Sequence, residues 1–157
     1  LSNATTYLNK GLEFADNEES KFACYNELGI INLLQNSPEK AIEYLSKAIE
    51  IKPADELLIM NLSTAFISHG DIANAQKTID NFPSNSELNY LRFIQQSEIF
   101  KTTAEFDKAI ATLEAGIAKS PNQEPFLSCK IGEIHQKLGN YNKAEEYYQI
   151  ALAGNIN

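Results

Sequence analysis

Alanine stands at Ala41, Ala75, Ala109 and Ala144, at intervals of 34, 34 and 35 residues, and the surrounding residues recur with it. Four positions after each alanine comes a large apolar side chain: Leu45, Ile79, Leu113 and Tyr148. Three further on stand Ala48, Phe82, Gly116 and Ala151, and twelve before the alanine stand the small residues Gly29, Ser63, Ser97 and Gly132. Self-similarity at a fixed period of this length marks a repeat architecture, in which one supersecondary unit is stacked on the next. Steps of 3, 4 and 7 place the recurring residues on one helical stripe, so each block carries a buried seam. Small residues at two fixed places per block let two helices approach closely.

Punctuation between the seams splits each block into two helices, A and B. Ser37-Pro38 reads as a cap followed by proline in the first turn, and Gly70-Asp71 and Gly139-Asn140 each set a turn residue before a cap. Thr102-Thr103-Ala104-Glu105 offers a capping box in the third block. Pro53 and Pro121 close the first and third blocks, and Pro83 closes the second slightly early. Ala4, Leu8, Gly11 and Leu12 repeat the helix B stripe, so residues 5–15 are expected to be helix B of a partial repeat. Nine helices are predicted, near 5–15, 19–35, 38–51, 55–69, 71–82, 85–102, 105–119, 123–138 and 140–153.

The pattern Tyr25-x2-Leu28-Gly29-x2-Asn32-x8-Ala41-x3-Leu45-x2-Ala48-x4-Pro53 resembles the tetratricopeptide repeat. The copy Ile131-Gly132-x2-His135-x8-Ala144-x3-Tyr148-x2-Ala151 is similar to it as well. The middle copies are degenerate, with serine at 63 and 97, Gln96 in place of a large apolar residue and Phe82 in place of alanine. The resemblance implies an all-α fold, a right-handed superhelical solenoid of stacked antiparallel hairpins. Residues 1–157 then form one array, with repeats at 22–55, 56–89, 90–124 and 125–157.

Composition narrows the function. Net charge is −8, and of 13 basic residues only Arg92 is an arginine. Nucleic-acid binding takes its affinity from Lys and Arg displacing counterions, and this surface repels a polyanion. Clustered arginine forks for phospho-groups are missing too. No apolar run approaches the length of a membrane span, so no membrane insertion is expected. The chain opens on Leu1, and Ser2-Asn3-Ala4 resembles the remnant of a cleaved tag, so it reads as processed or truncated. Heavy use of Asn, Ile and Lys points toward a bacterial source.

No catalytic constellation assembles, and the chain is not expected to be an enzyme. His69 and His135 lie in different blocks, and Cys24 and Cys129 lack metal-ligand or CxxC spacing, so no metal and no cofactor is expected. Cys24 and Cys129 sit three repeats apart, too far for a disulfide between helices stacked roughly 10 Å apart. Asn61-Leu62-Ser63 is a sequon in form, but it lies mid-helix with Leu62 in the seam.

In the resembled family, helices A line a concave groove. Carried over by position, that groove takes Asn26, Glu27, Ile30 and Leu33 from the first block, and Met60, Asn61, Thr64 and Ile67 from the second. Ile94, Gln95, Glu98 and Lys101 come from the third, and Cys129, Lys130, Glu133 and Lys137 from the fourth. The family's carboxylate clamp is not carried over, because its basic positions fall on Ala23, Ile30, Leu91 and Gln95. The implied function is a protein–protein interaction scaffold binding a peptide or partner helix, one with apolar anchors and basic flanks, across blocks one to three. The rival is a structural spacer or self-association segment of a larger signalling or envelope protein. Helix B of the fourth block is expected to leave Tyr148 and Leu152 partly open, an uncapped C-terminal end that implies either a native continuation beyond Asn157 or a homo-oligomer contact there.

Overall fold

A computed structural model describes residues 2–154. Among them every regular element is helical: α1 (Ser2–Phe14), α2 (Glu18–Leu34), α3 (Pro38–Ile51), α4 (Glu56–His69), α5 (Ile72–Asp80), α6 (Asn89–Thr102), α7 (Phe106–Lys119), α8 (Glu124–Lys137) and α9 (Tyr141–Ala153). A 3-10 turn at Pro121–Gln123 leads into α8. The described residues divide between Pro83 and Ser84 into two compact units, α1–α5 and α6–α9. Position 1 and the last three positions of the fourth repeat lie outside the described residues.

The repeat frame is the core. Ala41, Ala75 and Ala109 are fully buried and Ala144 nearly so, as are Leu45, Ile79 and Leu113. The small-residue slot has a direct cause. A methyl on Gly29 would lie 2.4 Å from Leu45 Cγ, and one on Gly132 would lie 2.6 Å from Tyr148 Cε1. Helix A can therefore meet the large residue of helix B only where the side chain is absent or very small. Ser63 fills the slot in the second block by turning its hydroxyl to the Ala75 carbonyl at 3.2 Å, which satisfies the polar atom it buries.

The turn between A and B also repeats, in its backbone. Asn36, Gly70, Ala104 and Gly139 all have φ between +53 and +85, again at intervals of 34, 34 and 35 residues. Behind each, an amide reaches the carbonyl five residues earlier: Ser37 to Asn32, Asp71 to Phe66, Glu105 to Phe100 and Asn140 to His135, at 2.8–2.9 Å. A second amide reaches back three residues, from Asn36 to Leu33 and equivalently in the other turns. This paired bonding is the Schellman motif, which satisfies the last carbonyls of helix A.

Three local expectations are corrected. The capping box at Thr102–Glu105 does not form: Thr102 and Thr103 donate their hydroxyls back to the carbonyls of Glu98 and Phe100, so both finish α6 rather than start α7. Helix α6 begins at Asn89 rather than near 85, because the Ser86 hydroxyl accepts the Leu88 amide and holds residues 84–88 in turns. Helix α5 stops at Asp80, where the amides of Asn81 and Phe82 tighten to bonds three residues back and Phe82 turns into the core.

Candidate functional site

Within the first unit, α2 and α4 lie side by side. Helix α2 begins where Asn17 caps Ser20 at 2.8 Å, and α4 begins where Asp55 caps Leu58 at 2.9 Å, so both A helices are fixed at their starts. Gly29 and Tyr25 face α3, the latter stacked on Tyr44 at 6.4 Å, which turns Asn26 and Ile30 to another face of α2, while Leu33 packs against the buried cluster of α3 and α4. These three are half-buried and Glu27 is exposed. On α4, Met60, Asn61 and Ile67 are half-buried and Thr64 is exposed, its hydroxyl donating to the Met60 carbonyl at 2.9 Å. The Asn26 carboxamide oxygen is buried with no hydrogen-bond partner. Two large apolar residues of these helices were missed from sequence: Leu34 is 71 % exposed and Leu57 is 60 % exposed. Their signal was available, since Leu34 follows Ile30 by four and Leu57 precedes Met60 by three.

The second unit presents different chemistry. Ile94 and Gln95, assigned to the binding face, are buried, and Ile94 packs in a cluster with Leu113, Leu127 and Ile131. The charged positions pair among themselves: Lys101 with Glu98 at 2.8 Å, and Lys130 with both oxygens of Glu133 at 2.9 and 3.0 Å. Burial of the Lys130 stem works against its charge. The Glu133 hydrogen bond, with the charges of Glu133 and Glu98, outweighs that and holds its ammonium above the ordinary lysine value. Half-buried Cys129 and exposed Glu133 and Lys137 share α8, where Phe126 is exposed and was also missed. Glu98 and Glu133 are thus each ion-paired within this unit.

The other flagged side chains have packing roles. His135 is buried and stacks on Tyr147 at 5.6 Å, whereas His69 is exposed and sits 3.4 Å from Glu39. Both cysteines are free and half-buried. Among the described residues, no group of three or more His, Cys, Asp or Glu converges on a point, and no helix is long and apolar enough to cross a membrane.

The family model of the tetratricopeptide repeat matches residues 22–55 and 127–153. Over 108 residues the chain is 28 % identical to the BBSome complex member BBS4 of Bos taurus, a match covering 69 % of this chain and 21 % of that protein. The chain thus spans about a fifth of that relative's length. Among solved structures, a crystal structure of MamA superposes with a TM-score of 0.67 at 20 % identity, covering 96 % of this chain and 86 % of that one. A double mutant of MamA superposes at 0.66 with 10 % identity, covering 98 % and 84 %. At these identities the structural likeness speaks to the fold.

Proposed function

We propose that this chain, whose residues 22–55 and 127–153 match the family model of the tetratricopeptide repeat, is a scaffold that holds a peptide or partner helix on the α2–α4 face of its first unit. The observation that carries this reading is the exposure of Leu34 and Leu57 on the two helices that also carry half-buried Ile30, Met60 and Ile67. Isolated exposed apolar residues are ordinary, but a set on two neighbouring helices is the arrangement a helix-in-groove ligand uses. Met60 suits varied partners because its thioether is flexible and polarizable. The clamp for a C-terminal carboxylate is missing, so the ligand is recognised by its apolar anchors. A spacer or self-association role is the second reading, resting on the exposed Tyr141 and Leu152 of α9. A displayed peptide library panned against the chain tests the first. Enriched peptides should share spaced apolar anchors and lose binding to Met60→Glu, and enrichment that survives that substitution would remove the assignment.

A further inference from the structure

The cleft between α7 and α9 has a floor that packing alone does not explain. It measures about 320 Å³ and is lined by Asp107 and Glu114 of α7, His135 of α8, and Lys143, Glu146 and Tyr147 of α9. His135 is 6 % exposed, and its Nδ1 is buried without a hydrogen-bond partner. Folded proteins satisfy nearly all of their buried polar atoms, so an unpartnered ring nitrogen in the lining of an open cleft points to a guest that brings the partner.

The repeat shows what is particular to this joint. At the same register in the first unit, Ser46, Phe66, Lys77 and Thr78 stand for Glu114, His135, Glu146 and Tyr147. The histidine slot holds a phenylalanine again at Phe100, so a hydrocarbon ring is enough for packing there. The imidazole is instead joined to two carboxylates. Its ring stacks on Tyr147, with centroids 5.6 Å apart and planes at 24°. The Tyr147 hydroxyl donates to Glu114 Oε1 at 3.2 Å. Burial first, then the charge and hydrogen bond of Glu114 and the charge of Glu146, push the Tyr147 hydroxyl above its ordinary value of 10.0. Both carboxylates thus act on one point of the cleft wall.

Three carboxylates against Lys143 leave the cleft negative, so the guest that suits it is a cation. A metal ion is too small, since among the described residues no three His, Cys, Asp or Glu groups gather tightly enough to hold one. A guanidinium fits the wider spacing. It is planar and carries five N–H donors, enough for two carboxylates and an imidazole together, whereas an ammonium is a point charge with three. We propose that the α7–α9 cleft binds an arginine side chain of another protein, its guanidinium paired with Glu114 and Glu146 and donating to His135. Free arginine fits less well, because its own carboxylate enters the same negative field. This site belongs to the second unit and does not rest on the α2–α4 reading.

The test uses the full chain, with N-acetyl-arginine amide as probe and proton–nitrogen correlation spectra as readout. The probe should shift the amide signals of Glu114, Glu146 and Tyr147 and the ring signals of His135, while those of Ser46, Phe66 and Lys77 stay in place. N-acetyl-citrulline amide, of the same shape but neutral, should shift none of them. N-acetyl-lysine amide and free arginine should each bind several-fold more weakly. Glu114→Gln and Glu146→Gln, both at exposed positions, should each weaken the arginine probe about tenfold. His135→Phe installs the residue of the other repeats, so it should keep the fold in a circular dichroism melt and weaken the probe several-fold. No shift, shifts of equal size in both units, or an equal response to the citrulline compound overturns the proposal. So does a response unchanged when Glu114→Gln and Glu146→Gln are combined. Free arginine binding as tightly as the capped probe overturns the assignment to a protein side chain.

Discussion

The residues that define this chain are small ones under tight steric control. Gly29 leaves no room for a side chain against Leu45. Gly29→Ala should therefore destabilise the first unit by roughly 1–3 kcal/mol through overpacking, despite alanine's better helix propensity. A urea melt at or above wild-type stability would show that the helices can separate without cost. Ala104 is the opposite case, the one alanine among four left-handed turn positions that otherwise hold asparagine or glycine. A left-handed L-residue costs roughly 1–2 kcal/mol, partly offset by the greater unfolded-state entropy of glycine. Ala104→Gly should then stabilise by up to about 1 kcal/mol, read as a raised denaturation midpoint. The alanine seam was legible in sequence because burial and period coincide at Ala41, Ala75, Ala109 and Ala144. Ala104 was not, because nothing in its chemistry advertises a left-handed backbone; only its register, 34 residues beyond Gly70, does.

At the scale of helices, periods were readable and ends were less so. Ends depend on which backbone group a short polar side chain chooses, and Thr102 and Thr103 chose the carbonyls behind them over the amides ahead. Asp71 shows the other choice. Its carboxylate accepts the Asn74 amide at 3.1 Å and the Asn74 side-chain amide at 2.7 Å, starting α5. Those hydrogen bonds, the side-chain one first, hold its pKa below the ordinary aspartate value of 3.8. A carboxyl depressed in the folded state contributes stability that is present above its unfolded pKa and lost as pH falls through the folded one. The wild-type melting temperature should thus fall on acidification below about pH 4. Asp71→Asn keeps a cap acceptor but does not titrate, so its melt should match wild type near neutrality and decline less in acid. Parallel acid curves for the two proteins would contradict this assignment. The proposed binding face was legible only as register for the same kind of reason. Position on α6 named Ile94 and Gln95, but neighbouring helices bury them, whereas Leu34 and Leu57 are left open.

Across the whole molecule, a net charge of −8 bears on how fast a partner arrives more than on how long it stays. Lys101 and Glu98 of α6, and Lys130 and Glu133 of α8, are paired in place, and the first unit's face mixes apolar residues with Asn26, Asn61 and Thr64, with exposed Glu27 beside them. Long-range attraction for a basic partner then comes from the summed field of the chain, which salt screens over about a Debye length, near 8–10 Å at physiological strength. On the proposed reading, short-range hold comes from Leu34, Leu57 and Met60, which salt leaves untouched. For a peptide selected on this chain, raising salt should slow association and leave dissociation nearly constant. Met60→Glu should do the reverse. It places a carboxylate among apolar anchors, so dissociation should accelerate beyond measurement, while the attraction of a more negative chain for a basic ligand is preserved or increased. Helical content and melting temperature should stay close to wild type, since Met60 is half-exposed and lies outside the buried cluster. Stopped-flow traces in which salt acts mainly on dissociation, or in which Met60→Glu slows association alone, would mean that charged contacts hold the ligand and that the apolar face of α2 and α4 does not.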